Sequence, residues 1–195
     1  MDFEMTKIIF VPGNAGCTTQ DNWFPNVKAE LEKHNLEVIA ATFPDPELAR
    51  EQYWIPFLRD ELKAENDTVL IGHSSGAIAA MRFAEKYEIL GSVLVGTYHT
   101  HLGIENEKLS GYFDRPWDWE KIKSNQKWIS LFASSDDPWI PIEEPRHIHT
   151  KLDCEYHEYK NNGHFGGDYF KGAFPELTLS VLNNLIGVVK SPKLV

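Results

Sequence analysis

Short runs of β-branched and other apolar residues alternate with amphipathic stretches along most of the chain, and this alternation limits the folds that it can adopt. Each run is bounded by Gly, Pro, Asn or Asp, which is typical of a β-strand. The predicted strands span residues 7–11, 37–41, 68–71, 92–95, 128–132 and 155–159. Strands that alternate with helices favour a parallel sheet covered on both faces. We therefore predict an α/β fold with a mostly parallel six-stranded sheet and helices on both faces.

The stretches between the strands predict helices, because their apolar residues recur at helical spacing. Trp23, Val27 and Leu31, for example, share one side of such a stretch. The predicted helices span residues 22–33, 51–63, 75–87, 117–124, 142–151 and 175–186. The segment 96–116 is predicted to be irregular, and loops of this length in compact domains are usually functional or mobile. No linker or repeat divides the chain, so we expect a single domain over residues 1–195.

Charge and composition exclude several classes of function. The formal net charge is −10, whereas nucleic-acid binding needs clustered Lys and Arg, so no nucleic-acid partner is expected. The two cysteines, Cys17 and Cys154, are too few for a disulfide framework and lack metal-ligand spacing, which favours a reduced intracellular setting. The first residues carry acids where a secretory signal needs positive charge, and no run approaches the roughly 20 apolar residues that span a bilayer. We expect no membrane association.

Residues 72–76 read GHSSG and stand between a predicted strand and a predicted helix. This is the context required for a G-x-S-x-G nucleophile elbow, with Ser74 as the predicted nucleophile. Gly72 and Gly76 would give the clearance that a tight strand-to-helix turn needs. The backbone N–H of Ser75, at the start of the helix, is a candidate donor to an oxyanion. The alternative is a Gly/Ser-rich turn or an anion-binding helix start without catalysis.

A serine nucleophile needs a base and an orienting acid, which follow the serine in that fold class in the order acid, then His. Asp136 and Asp137 follow the fifth predicted strand, and His164 follows the sixth. We favour Asp137 over Asp136, because Pro138 stiffens the backbone directly after it. The alternatives are ordinary turn chemistry for the aspartates and a solvated loop position for the histidine.

A second oxyanion donor is expected in the turn after the first strand. The backbone N–H of Asn14 is the candidate, with that of Ala15 behind it. His73 lies inside the elbow and is interpreted as a packing residue. Other histidines have the alternate spacing of an extended segment: His99 with His101, and His147 with His149. Neither pair has the further ligands that zinc needs, so no metal site is predicted.

Several aromatic residues fall in or near the irregular segment. They are Tyr98, Tyr112, Phe113, Trp117 and, beside the predicted acid, Trp139. They could form an aromatic-lined cap over Ser74, in which case small apolar or aromatic acyl groups would fit best. Alternatively, they are core residues that cover the sheet edge.

A set of longer segments carries a family resemblance. They are residues 11–14 (VPGN), 43–46 (FPDP), 71–82 (IGHSSGAIAAMR), 110–113 (SGYF), 115–117 (RPW), 119–123 (WEKIK), 136–138 (DDP) and 163–165 (GHF). Together they resemble the retinoblastoma-binding protein 9 family, small serine hydrolases with the α/β-hydrolase fold. The resemblance implies Ser74 as nucleophile, Asp137 as acid and His164 as base, no cofactor, and a cytoplasmic or nuclear location.

The family's name refers to an L-x-C-x-E segment that binds the retinoblastoma pocket. Residues 62–66 here read LKAEN and lack both the cysteine and the final glutamate, so a retinoblastoma-type partner is not expected. The predicted function is hydrolysis of small esters or amides through an acyl-enzyme. The alternative is a non-catalytic protein-interaction module that retains the fold, since a fold does not by itself confer an activity.

Overall fold

The computed structural model describes residues 6–167 and 172–190, and it contains one six-stranded sheet with the strand order β2-β1-β3-β4-β5-β6. Every pair of neighbouring strands is parallel. The strands are β1 Lys7–Val11, β2 Glu37–Ile39, β3 Thr68–His73, β4 Gly91–Val95, β5 Trp128–Ser134 and β6 Glu155–Tyr159. The predicted α/β class and its parallel sheet with helices are confirmed.

The central strands are buried on both faces, which explains their almost uninterrupted apolar sequences. All six residues of β3 and all five of β4 are buried. Successive side chains point to opposite faces, so Leu70 and Leu94 belong to one apolar cluster whereas Val69 and Val93 belong to the other. The core therefore consists of two layers, one on each side of the sheet.

Helices cover both layers. They are α1 Phe24–Glu32, α2 Glu51–Pro56, α3 Ser75–Ala84, α4 Glu105–Leu109, α5 Trp119–Ser124, α6 Glu143–Leu152 and α7 Pro175–Lys190. Side chains of α1 and α7 pack in the cluster that contains Val69, and those of α2, α3, α5 and α6 pack in the cluster that contains Leu70. None of the helices in the described ranges is long and apolar enough to cross a membrane.

Two elements differ in kind from the sequence prediction, and most of the others differ by one to four residues at one or both ends. The helix predicted over 51–63 ends as an α-helix at Pro56 and continues as a π-helical turn, Phe57–Glu61, because proline lacks the N–H that an α-helical hydrogen bond needs. The 96–116 segment, predicted to be irregular, contains the short helix α4.

Because the strands are parallel, their carboxyl ends all lie at the same end of the sheet. Ligands bind at this end in open α/β sheets. Asn14 follows β1, Ser74 follows β3, Asp137 follows β5 and His164 follows β6. The fold thus brings residues far apart in sequence to a common edge.

Candidate active site

Ser74 occupies a tight turn between β3 and α3 and has the dihedral angles φ 55° and ψ −124°. These angles are strained for a residue with a side chain. The turn needs both glycines of the motif. A Cβ on Gly72 would lie 2.4 Å from the carbonyl oxygen of Gly76, and a Cβ on Gly76 would lie 2.1 Å from that of Val11. The sequence GHSSG therefore forms the compact elbow that its glycines predict.

His164 and Asp137 form a direct pair. The Nδ1–H of His164 donates to Oδ2 of Asp137 over 2.7 Å. The other carboxylate oxygen of Asp137 accepts the backbone N–H groups of Trp139 and Ile140 at 2.9 and 3.1 Å. With only 3% of its side chain exposed, Asp137 is held rigidly, and it fixes both the tautomer and the orientation of the imidazole.

Asp136, the alternative acid of the sequence prediction, has a different position. Its Oδ1 accepts the backbone N–H of Gly163 at 3.0 Å and the hydroxyl of Ser134. The Ser134 hydroxyl in turn accepts the backbone N–H of Asn162 at 3.1 Å. Hydrogen bonds from Ser134 and from Gly163 keep the pKa of Asp136 below its ordinary value. Asp136 thus anchors the turn that precedes His164 and does not contact the imidazole itself.

His73 also holds the loop that contains His164, through a hydrogen bond to its backbone. Its Nε2–H donates to the carbonyl oxygen of His164 over 2.7 Å, and the two rings lie 4.9 Å apart. The pKa of His73 is lowered to about 3, mainly by burial and to a smaller extent by the neighbouring charge of His164. His73 is therefore neutral in the folded protein, and its role is to hold the backbone at His164.

Gly96, directly after β4, makes room for the imidazole. Its φ is +57°, and a Cβ at this position would lie 3.1 Å from Cε1 of His164 and 3.9 Å from Oδ2 of Asp137. Gly96 was not predicted from the sequence, although its place immediately after a strand was the available signal.

Ser74 and His164 line one cavity of about 350 Å³. In the described part of the chain no hydrogen bond joins the Ser74 hydroxyl to the His164 imidazole. Such bonds are often long in unliganded sites and shorten when substrate binds. Leu102, Ile104 and Trp139 contribute apolar walls, so the cavity offers polar groups at its base and apolar surface around them.

Two backbone N–H groups have no acceptor among residues 6–167 and 172–190. They are that of Asn14, which lines the cavity, and that of Ser75, directly after Ser74. The N–H of Ala15, the alternative donor, is already used, because it donates to the carbonyl of Glu47 over 3.1 Å. The free donors are thus those of the two residues that sequence reasoning placed first.

Tyr98 and Glu107 are buried polar residues at the cavity wall whose contacts sequence reasoning missed. Tyr98 is 2% exposed and Glu107 5%. The phenol of Tyr98 lies 3.1 Å from the Ser75 hydroxyl. Burial raises the pKa of Glu107 above its ordinary value, and hydrogen bonds from Tyr98, Asn14 and Ser75 partly oppose that effect.

The aromatic residues divide between the two interpretations. Tyr98 and Trp139 line the cavity, and Trp139 is 66% exposed at its rim. Tyr112 is fully buried in the core, with Phe113 and Trp117 packed against it. The cap interpretation therefore applies to Trp139 and the core interpretation to Tyr112, Phe113 and Trp117. Tyr98 fits both, because it lines the cavity and is also a buried member of that core.

The described residues contain no group of three or more His, Cys, Asp or Glu side chains arranged to hold a metal ion. The ring of His99 stacks on that of His147 at 4.2 Å, and the ring of His149 stacks on Tyr156 at 4.7 Å. These histidines of the predicted pairs thus lie in aromatic contacts.

Comparison with known proteins shows the family to which the chain belongs. The family model described as "Serine hydrolase" matches residues 8–183. The chain belongs to the serine hydrolase family. Its relative in Rattus norvegicus, "Serine hydrolase RBBP9", is 42% identical over 188 residues, which cover 95% of each chain. The resemblance seen in the sequence is thereby confirmed, and the protein is a hydrolase.

Solved structures show the same fold for this serine hydrolase. The ydeN gene product of B. subtilis superposes with a TM-score of 0.81 at 24% identity, over 93% of this chain and 100% of that one. Est1E of Butyrivibrio proteoclasticus, solved with ferulic acid, gives a TM-score of 0.72 at 12% identity, over 97% and 92% of the two chains. At these identities the likeness concerns the α/β-hydrolase architecture alone.

Proposed function

We propose that this serine hydrolase cleaves small esters or amides through an acyl-enzyme on Ser74, with His164 as base and Asp137 as orienting acid. One observation carries the proposal. The imidazole of His164 is fixed by a 2.7 Å hydrogen bond to Asp137, and it shares a cavity with a serine in a strained elbow. This combination is what an activated serine nucleophile needs.

In the acylation step, Nε2 of His164 takes the proton of the Ser74 hydroxyl as Oγ attacks the substrate carbonyl carbon. Asp137 stabilises the imidazolium that forms. The carbonyl oxygen becomes an oxyanion, which accepts hydrogen bonds from the N–H groups of Ser75 and Asn14. When the intermediate collapses, the bond to the leaving group breaks, and the imidazolium returns its proton to the departing alcohol or amine.

In the deacylation step, His164 removes a proton from water, and the resulting hydroxide attacks the acyl carbon. A second oxyanion forms in the same place and is stabilised by the same two donors. Its collapse releases the carboxylic acid and returns the proton to Ser74. No cofactor takes part in either step.

The cavity supports a substrate class of small acyl groups. Its volume is about 350 Å³, at the lower end of the range for small-molecule sites. The apolar side chains of Leu102, Ile104 and Trp139 in its wall favour short apolar or aromatic acyl groups over long chains.

Replacing Ser74 by Ala tests the proposal. We expect Ser74→Ala to lose all labelling by a fluorophosphonate probe and to lower the kcat for p-nitrophenyl acetate by about 10⁶-fold, since the nucleophile is removed. Ser124→Ala, at an exposed serine at the end of α5, is the matched control and should label like the parent protein.

Two results would contradict the proposal. Labelling that survives in Ser74→Ala would place the nucleophile elsewhere. A parent protein that neither labels nor hydrolyses the ester would contradict the proposed mechanism and substrate class.

A further inference from the structure

Glu107 is a buried carboxyl group that the proposed mechanism does not use. It belongs to the short helix α4 within the 96–116 segment and is 5% exposed. Its Oε1 accepts the side-chain N–H of Asn14 at 2.7 Å and the hydroxyl of Ser75 at 3.4 Å. One carboxyl oxygen thus contacts the side chains of both residues whose backbone N–H groups are the oxyanion donors of the proposed mechanism.

Backbone hydrogen bonds fix the turn that contains Asn14 at the residues that follow Asn14. The N–H groups of Ala15 and Gly16 donate to the carbonyl oxygens of Glu47 and Pro46, each over 3.1 Å. Both residues have positive φ angles, 55° and 76°, so the chain turns sharply directly after Asn14. The hydrogen bond to Glu107 holds the preceding residue, Asn14, where the free N–H lies.

We propose that Glu107 is a positioning residue that sets the Asn14 backbone N–H at the distance an oxyanion requires, so that a residue of the 96–116 segment completes the oxyanion hole. This inference rests on the proposed function. Its physical basis is preorganisation: a donor that is already in place needs no reorganisation when the charge develops, and a displacement of about 1 Å can cost about a hundredfold in rate.

The chemistry of the carboxyl group agrees with this role. Burial raises the pKa of Glu107, which favours the neutral acid, and a neutral acid does not repel an oxyanion nearby. Its carbonyl oxygen still accepts the hydrogen bond from Asn14. A glutamine side chain has the same shape and the same acceptor, so it should serve equally well.

The test compares four variants with p-nitrophenyl acetate, a neutral ester: Glu107→Ala, Glu107→Gln, Asn14→Ala, and the double variant Glu107→Ala/Asn14→Ala. Asn14→Ala keeps the backbone N–H and removes only its anchor. We expect Glu107→Ala and Asn14→Ala each to lower kcat by about 10- to 100-fold with little change in KM. The double variant should be no slower than either single variant, because both remove one contact. Glu107→Gln should retain kcat within about threefold.

Glu105→Ala is the matched control, because Glu105 lies on the same helix, is exposed and pairs only with Lys108 within the described residues. It should leave kcat unchanged. Thermal unfolding of each variant verifies that it is folded. If Glu107→Ala does not fold, Asn14→Ala alone still tests the anchor, since Asn14 is only partly buried.

Three results would overturn the inference: an unchanged kcat in Asn14→Ala, a loss in Glu107→Gln as large as that in Glu107→Ala, or losses that add up in the double variant. The proposed function is judged separately by Ser74→Ala. If Ser74→Ala is inactive while Asn14→Ala keeps full kcat, only the role of Glu107 is wrong.

Discussion

The two ends of helix α3 carry buried polar clusters of opposite character. At its first turn, the backbone N–H of Ser75, Nδ1 of His73 and Oε2 of Glu107 have no hydrogen-bond partner within the described ranges, and Ser74 is strained at φ 55°. Nearly all buried polar groups in proteins are hydrogen-bonded. Unpartnered polar groups and a strained residue in one place therefore indicate a site kept open for a ligand.

At the other end, Arg82 is 0% exposed and uses all five of its N–H donors. Its guanidinium group donates to the backbone carbonyls of Tyr112, Arg115 and Pro116 and to the carboxylate of Glu85. It also lies 3.6 Å from the ring centre of Trp117. This cluster ties residues 112–117 to the helix, and it uses every N–H of the guanidinium group.

The difference indicates that the two ends of helix α3 have separate roles, one in stability and one in chemistry. The satisfied cluster at Arg82 stabilises the fold, because each of its groups would be costly to leave unpaired. The unsatisfied cluster at Ser74 contributes little stability and is available for chemistry. Variants at one end should therefore change the rate with little effect on stability, and variants at the other end should do the reverse.

The largest effect is expected for Asp137→Asn at the reactive end. The asparagine no longer fixes the tautomer of His164 with Nδ1 protonated, so kcat should fall by about 10⁴-fold while the midpoint of urea unfolding changes little. Steady-state kinetics with p-nitrophenyl acetate measure the loss. Asp136→Asn is the matched control and should lose far less, because Asp136 contacts the loop of His164 and not its ring. Equal losses in both variants would contradict this assignment.

The next effect concerns stability at the other end. Arg82→Met should lower the free energy of unfolding by about 3–5 kcal/mol, because it leaves buried carbonyl groups without their donor and removes the buried ion pair with Glu85. Arg82→Lys should cost less, since it keeps the charge but supplies fewer donors. Arg59→Met, at a more exposed arginine, should cost about 1 kcal/mol or less. Urea unfolding measures all three, and an Arg82→Met protein as stable as Arg59→Met would remove the distinction between the two ends.

A smaller effect is expected from the strain at Ser74. Glycine adopts the observed dihedral angles without a steric penalty, whereas alanine does not. Both Ser74→Gly and Ser74→Ala should be inactive, but the glycine variant should be about 1 kcal/mol more stable than the alanine variant. Paired urea titrations decide this. A glycine variant that is the less stable of the two would show that the elbow stores no strain.

The smallest effect is the pH dependence contributed by His73. Burial lowers its pKa from the ordinary 6.5 to about 3 in the folded protein, so below pH 6.5 the unfolded chain binds a proton that the folded chain does not. The stability that His73 contributes is therefore complete above pH 6.5 and is lost as the pH falls towards 3. Between pH 7 and pH 6 the loss should be about 0.7 kcal/mol.

His73→Gln is the comparison for this measurement, because glutamine can donate to the same carbonyl without titrating. The difference between the two proteins in unfolding free energy should change by that amount between pH 7 and pH 6. A constant difference would mean that His73 is protonated in the folded state as readily as in the unfolded state.

The sheet and the positions of Ser74, Asp137 and His164 could be predicted from sequence because they depend on local signals. Alternating strand and helix patterns fix the parallel sheet, and the two glycines of GHSSG are typical of a tight turn between a strand and a helix. Asp137 and His164 could be placed because each lies in the loop that follows a strand. Parallel strands then bring all three to one edge.

Glu107 and the Arg82 cluster could not be predicted in this way. Glu107 stands in a charged five-residue helix, ENEKL, too short to show a periodic apolar face, and its partner Asn14 is 93 positions away. A charged residue in such a stretch is normally solvent-exposed. Arg82 lies on a helix that is buried on all sides, and its partners come from the 96–116 segment, which has no periodic pattern of its own.

The order of the strands has a consequence for how the site forms during folding. The proposed nucleophile, acid and base follow β3, β5 and β6, and β6 is an edge strand of the sheet that pairs with β5. An intermediate that has assembled only the first five strands would already possess the elbow but would have no imidazole beside it. Reactivity towards a fluorophosphonate during refolding should consequently lag behind the recovery of helical circular dichroism. The rate at which labelling appears would then report when the final strand docks.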